Sequence, residues 1–191
     1  MFLPLLEVGY GNYIFTSSVI MLINPLSKPA RRMITKAKKE ETFIDLTLGN
    51  AGACLLLLDT GEIIMSSIDV KTIMNRYMKH VNNADLNKDQ KLEPFLEIGY
   101  KNYILPYKVT GLYTPKSKSI STAIKNAKNT EMLIDCKQGR ETRSVIFVQG
   151  GYVIASAITP DTIRRRYMNA IKKINNNEID VNDIIEDDEN E

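Results

Sequence analysis

Glu7-Val8-Gly9-Tyr10 and Glu97-Ile98-Gly99-Tyr100 are one string written twice, 90 positions apart. The offset runs without a gap from Leu5 to Met78. Pro25 falls on Pro115, Ile44-Asp45 on Ile134-Asp135, Gly49 on Gly139, and Arg76-Tyr77-Met78 on Arg166-Tyr167-Met168. Of the 74 aligned positions 28 are identical, so the chain is a tandem repeat. Self-similarity at a fixed period decides the architecture before any local propensity does. Two copies are too few for a solenoid and make two small domains or one pseudo-symmetric pair. The first spans residues 1–78 and the second 95–172, with a linker at 79–94 and an acidic tail at 173–191. What both copies keep is read as structural. What only one keeps marks function gained or lost.

Units of this size bury little core surface and are marginal alone, so the halves are expected to pack on each other or to oligomerise. The formal charge of +2 hides a strong asymmetry. Residues 1–78 hold eight basic and seven acidic side chains; residues 95–171 hold twelve and five; residues 172–191 hold two and eight. A basic domain before an acidic tail suits a polyanion binder with a self-screening extension.

Each copy reads as strand, strand, helix, three further strands and a closing helix, an α+β arrangement with a mostly antiparallel sheet. The first strand is Leu5–Val8 or Phe95–Ile98, and a long second strand is expected over Tyr13–Ile23 or Tyr103–Tyr113, rich in β-branched and aromatic residues. Ser27 is placed to cap a helix whose first turn takes Pro29, with Ala30, Met33, Ile34 and Ala37 on its apolar stripe. Short strands at Ile44–Leu46 and Leu133–Cys136 precede the apolar strands Cys54–Leu58 and Ser144–Val148. Hairpins at Asp59-Thr60-Gly61 and Gln149-Gly150-Gly151 lead to the last strands. Asp69 caps the closing helix of copy one; Thr159 with Pro160 starts that of copy two. In the linker, Asp85-x-Asn87-x-Asp89 has the first spacings of a calcium loop. It has Gln90 where glycine is needed and Leu96 where a glutamate belongs, so no calcium site is expected.

No catalytic constellation is present: no GxSxG, HExxH, Walker loop or glycine-rich dinucleotide turn. Cys54 and Cys136 occupy non-equivalent positions in apolar strands and read as buried free thiols, which points to a reducing, cytoplasmic setting. With one histidine and no CxxC, neither a metal nor a cofactor is expected. No apolar run approaches the 18 residues of a membrane span. Asp45 and Asp135 read as structural carboxylates accepting loop amides, Arg76 and Arg166 as partners within their own domains, and Tyr77 and Tyr167 as core or interface.

The cations divide unevenly. Copy two has Lys137, Arg140 and Arg143 in the loop before its buried strand, where copy one has Thr47, Asn50 and Ala53. Lys108 stands where copy one has Ser18. On the first helix the pattern inverts, Arg31 and Arg32 facing Ser121 and Thr122. Arginine on a turn between strands presents a planar fork that fits phosphate oxygens or guanine edges. Lys108, Arg140, Arg143, Lys137, Arg31 and Arg32 are therefore the candidate contacts to a polyanion, with no small-molecule substrate expected. Arg164 and Arg165, against Met74 and Asn75, are either further backbone contacts or an ordinary solvated helix face.

The strings Val8-Gly9-Tyr10-Gly11-Asn12, Pro25-Leu26-Ser27-Lys28-Pro29, Ile134-Asp135-Cys136-Lys137-Gln138-Gly139-Arg140-Glu141-Thr142-Arg143 and Val153-Ile154-Ala155-Ser156-Ala157-Ile158-Thr159-Pro160-Asp161-Thr162 together resemble the RemA family, small bacterial regulators of extracellular matrix genes. The resemblance covers both copies and leaves only linker and tail. It implies a domain similar to the LytTR DNA-binding fold, assembled into a homo-oligomeric ring around which double-stranded DNA wraps, and DNA as the polyanion that those cations contact. It also implies transcription regulation of biofilm matrix genes in a nucleoid-associated protein. By position, the family's strand-two arginine falls on Lys108 and its loop arginines on Arg140, Glu141 and Arg143; Glu141 reverses one charge. Copy one has Ser18, Asn50, Ala51 and Ala53 there, which implies a role in assembly, with Arg31 and Arg32 left for DNA. The rival reading is a protein-interaction scaffold without DNA binding. A third possibility is that the acidic tail folds onto the basic loop and inhibits it.

Overall fold

The computed structural model describes residues 5–81 and 93–175. Copy one comprises β1 (Leu5–Gly9), β2 (Asn12–Phe15), β3 (Val19–Ile23), α1 (Lys28–Lys39), β4 (Phe43–Asp45), β5 (Cys54–Leu58), β6 (Ile63–Ser66) and α2 (Val70–Val81). Copy two repeats the order with β7 (Leu96–Glu97), β8 (Tyr103–Ile104), β9 (Val109–Tyr113), α3 (Lys118–Asn129), β10 (Leu133–Asp135), β11 (Ser144–Val148), β12 (Val153–Ser156) and α4 (Pro160–Asn175). The α+β class is as expected. The calcium-like string and nearly all of the acidic tail lie outside the described residues.

The start signals act as read. Ser27 Oγ accepts from the Ala30 amide at 3.3 Å, Asp69 Oδ1 from Thr72 at 3.0 Å, and Thr159 Oγ1 from Thr162 at 3.2 Å. Each satisfies one orphan amide of a helix N-terminus. Asp45 and Asp135 accept the amides of Thr47 and Lys137 at 2.9 and 3.1 Å. The hydroxyl and amide of Thr47 hold the Asp45 carboxyl below its ordinary range, with burial opposing.

The expected long second strand is two. A 3-10 turn, Thr16–Ser18 in copy one and Pro106–Lys108 in copy two, breaks it and sends its halves to different partners. In copy one β2 folds back on β1, with Leu6 opposite Ile14, while β3 pairs with β5, with Leu22 opposite Leu56. The repeated Gly9 sustains this hairpin at φ +118, and a Cβ there would stand 3.5 Å from Ile68; Gly99 matches it at φ +108. Only glycine takes such a φ without strain.

The break also joins the halves. The β7–β8 hairpin of copy two does not enter its own sheet; it adds to the β3 edge of copy one, with Met21 opposite Ile104 and Leu22 opposite Tyr103. The larger sheet thus runs β4-β6-β5-β3-β8-β7, and the smaller runs β10-β12-β11-β9. In each, the first strand is parallel to its neighbour, β4 to β6 and β10 to β12, and the other pairs are antiparallel. Phe95 packs edge-on against Tyr77, ring centroids 4.9 Å apart. Glu93 accepts from Tyr77 through its carbonyl at 2.7 Å and from Tyr167 through its carboxylate at 2.8 Å. Two of the hydrophobic clusters contain side chains of both copies. Burying Phe95, Tyr103 and Leu105 stabilises the joint by about 1.5–3 kcal/mol for each side chain. The halves therefore behave as a fused pair.

Each hairpin is tied to its own closing helix. Arg76 reaches Glu7 Oε2 at 2.7 Å and the Glu7 carbonyl at 3.0 Å, and Arg166 approaches Glu97 at both equivalent atoms. Ser66 and Ser156 each donate to the first strand's backbone at 2.7 Å. These arginines serve structure, as expected. Cys54 and Cys136 are free and fully buried, and burial pushes both thiols far above the ordinary thiol range. A thiol reagent is expected to react with neither in native protein and with both in denaturant; rapid native labelling would contradict the packing.

Candidate nucleic-acid interface

The six candidate cations take three different positions. Lys108 lies at the end of the 3-10 turn between β8 and β9, where the hairpin seats on copy one. It is 5% exposed, and its Nζ donates to Asp59 Oδ2 at 2.6 Å. The expectation that Lys108 presents its charge outward is corrected: its charge is spent across the joint on a carboxylate of the other copy. The neighbouring Tyr107 donates its hydroxyl to the Thr16 carbonyl at 3.0 Å, fastening the same corner.

Lys137 is half-buried in the loop after β10, and its ammonium pairs with Asp135 at 2.6 Å. Most of its charge is answered locally. Arg140 and Arg143 are exposed in the same loop, between β10 and β11. The loop turns through Gln138 and Gly139, at φ +48 and +84, and closes with the Arg140 amide on the Lys137 carbonyl at 2.9 Å. The Arg143 amide bonds to the Ser156 carbonyl at 2.9 Å, which anchors the loop's far end on β12. The Arg140 guanidinium lies over the Tyr100 ring, 5.5 Å from its centroid, an attraction that orients the cation while leaving it open to solvent. Copy one fills the equivalent corner with a neutral contact, Asn50 donating to the Tyr10 hydroxyl at 2.6 Å.

Arg31 and Arg32 are exposed on the first turn of α1. The joint lays α1 of copy one against copy two, where Lys36 donates to the Glu131 carbonyl at 3.3 Å. At its N-terminal end Lys28 and Arg32 line a cleft of about 280 Å³ whose other wall is Asp135, Gln138 and Gly139. Lys28 and Arg32 of copy one therefore face the Gln138–Gly139 turn of copy two, and Arg140 follows that turn in sequence without lining the cleft. Arg164 and Arg165 are exposed on α4.

Sequence reasoning missed Asp59 and Tyr100. The first was legible in principle, since Asp59 aligns with neutral Gln149 as Lys108 aligns with neutral Ser18. Tyr100 repeats Tyr10, and nothing local distinguishes the one that meets an arginine. Among the described residues no group of three or more His, Cys, Asp or Glu is placed to hold a metal ion. None of their helices is long and apolar enough to cross a membrane.

The chain is thus a duplicated α+β unit in which α1 of one copy and the β10–β11 loop of the other share a cleft. A family model described as RemA-like, extracellular matrix regulatory protein A-like, matches residues 5–77 and again residues 95–167. The chain belongs to that family, with the unit present twice. A protein of Maridesulfovibrio salexigens bearing the name "Putative regulatory protein" is 37% identical over 73 residues, which are 38% of this chain and 85% of that protein. One from Thermotoga petrophila, with the same name, is 37% identical over 76 residues, 40% of this chain and 83% of the relative. A third, from Acaryochloris marina and also so named, is 30% identical over 86 residues, 45% of this chain and 98% of its own length. Each relative is thus matched nearly end to end by less than half of this chain, and the names support a regulatory role.

Proposed function

We propose that the chain is a DNA-binding transcriptional regulator or architectural protein of the RemA type, held in a homo-oligomeric and ring-forming assembly. It grips the duplex through its phosphates with Arg31 and Arg32 of α1 and Arg140 and Arg143 of the β10–β11 loop. Lys137 contributes little beside Asp135, and Lys108 serves the joint. The observation that carries this reading is that Arg32 of copy one lines a cleft with the Gln138–Gly139 turn of copy two, the turn that leads directly into exposed Arg140. The sequence comparison alone made the cations of the two copies look like opposite losses, loop charges gone from copy one and helix charges gone from copy two. The cleft favours a single account: the helix cations are kept on the copy whose α1 reaches the other copy's loop, and the loop cations are kept on that loop.

Phosphate contacts make affinity fall with salt, with a log–log slope of about −0.9 per neutralised phosphate. Replacing Arg140 and Arg143 with alanine is expected to weaken binding roughly tenfold for each arginine and to flatten the slope by about one unit each. The check is a fluorescence-anisotropy titration of a duplex at several salt concentrations, with circular dichroism to show that the fold is unchanged. Unaltered affinity and slope would overturn the DNA reading and favour docking of an acidic protein on the same groove.

A further inference from the structure

The internal joint has two open halves elsewhere on the molecule. The β1–β2 hairpin is the counterpart of β7–β8, and β9 is the counterpart of β3; among the described residues the hairpin pairs with no larger sheet and one edge of β9 receives no strand. Burial tracks the difference. Tyr103 and Leu105 are 2% and 0% exposed within the internal joint, while their counterparts Tyr13 and Phe15 are 59% and 49% exposed. Leu5 and Tyr113 likewise stand in solvent where Phe95 and Ile23 are buried. A bare strand edge flanked by exposed aromatics is a pairing surface, and the occupant it fits is present on every copy of this chain. Transferring the register by 90 positions puts Ile14 of one chain opposite Gly111 of the next, and Tyr13 opposite Leu112.

The two joints differ at one buried corner. Inside the chain Lys108 meets Asp59. At the two open halves the same places hold Ser18 and Gln149, both neutral. Lys108 seated against Gln149 would be a buried cation without a carboxylate, and Asp59 seated against Ser18 would lose its ammonium. Stranding one member of such a pair costs far more than the pair gains. Both wrong unions, copy two on copy two and copy one on copy one, are penalised.

We propose that the β1–β2 hairpin of one chain adds to the β9 edge of a second copy in the register of the internal joint, and that Lys108–Asp59 against Ser18–Gln149 sorts the hairpins so that the two repeats alternate along the assembly. This rests on the proposed self-assembly and adds its surface, its register and its sorting rule. A joint between two different patches propagates head to tail and closes into a ring when the rotation permits.

Three measurements test it on the full chain. Native mass spectrometry is expected to give multiples of one chain without DNA; a monomer at every concentration would overturn both assembly and this inference, while leaving the DNA titration to decide DNA binding separately. The double variant Tyr13→Cys with Leu112→Cys places thiols on directly opposed residues, within disulfide reach. Mild oxidation is expected to give a ladder of covalent multimers on a denaturing gel, and the off-register pair Ile14→Cys with Leu112→Cys none. An assembled protein without the in-register ladder would overturn the proposed surface although assembly stands. The Arg140→Ala, Arg143→Ala background is expected to give the same ladder, which separates this result from DNA binding. Finally, Ser18→Lys is expected to raise the concentration at which assembly is half complete by at least about tenfold, and adding Gln149→Asp to restore it. No effect of the lysine, or no rescue by the aspartate, would overturn the sorting rule.

Discussion

Replacing Lys108 with alanine will lower the unfolding free energy by roughly 2–4 kcal/mol and leave the salt slope of DNA binding unchanged. The lysine side chain is 6% exposed and its nitrogen lies 2.6 Å from Asp59. Removing one member of a buried ion pair costs about 3–5 kcal/mol, because the survivor keeps its charge and loses its solvent. Asp59 is 31% exposed on its own side chain, so water partly recovers the stranded carboxylate and the loss falls toward the lower end. The double change Lys108→Met with Asp59→Leu is expected to restore most of the stability, since nothing charged is then left in the corner. Urea denaturation reads all three proteins. A phosphate-contacting lysine would behave otherwise: stability would hardly move, and the salt slope would fall by about one unit.

Lys108 also shows where the sequence stops being legible. Its partner lies 49 positions away in the other copy, and the two meet only because the strand run breaks at the 3-10 turn. The run Tyr103–Tyr113 looks continuous, since β-branched and aromatic residues on either side of Pro106 have equal liking for a sheet. Pro106, which has no amide hydrogen to give to a ladder, was the one local sign of a break. Copy one offers even less, having Thr16-Ser17-Ser18 at the same place. By contrast, the Ser27, Asp69 and Thr159 caps and the loop roles of Asp45 and Asp135 were readable, because each contact spans three positions or fewer. The duplication, the α+β class and the structural arginines followed from comparing one copy with the other. The groove did not. Arg32 and Gly139 are separated by more than a full repeat and come to one cleft only through the hairpin exchange.

A second groove will appear if the lost cations are put back. Under the proposed assembly, the joint between chains sets the first turn of α3 in one chain against the β4–β5 loop of the next, as α1 meets the β10–β11 loop inside the chain. The present side chains there are Ser121 and Thr122 on the helix and Asn50 and Ala53 in the loop. Ser121 and Thr122 are exposed, as is Asn50, so arginine at these places costs no core packing. Ala53 stands for Arg143 immediately before the strand, where its amide bonds to the Ser66 carbonyl as Arg143 bonds to Ser156. The variant with Asn50→Arg, Ala53→Arg, Ser121→Arg and Thr122→Arg is expected to steepen the salt slope by about three to four units per chain at 0.9 per phosphate. At 0.1 M salt it should tighten DNA binding by about a hundredfold or more. Combining it with Ser18→Lys, which weakens the joint between chains, is expected to remove most of the gain while the original groove keeps its own contribution. A gain that survives loss of assembly would mean that the added arginines act as scattered surface charge. A gain that vanishes with it requires helix and loop from two chains to form one phosphate-binding wall, as we propose for helix and loop from the two repeats within this one.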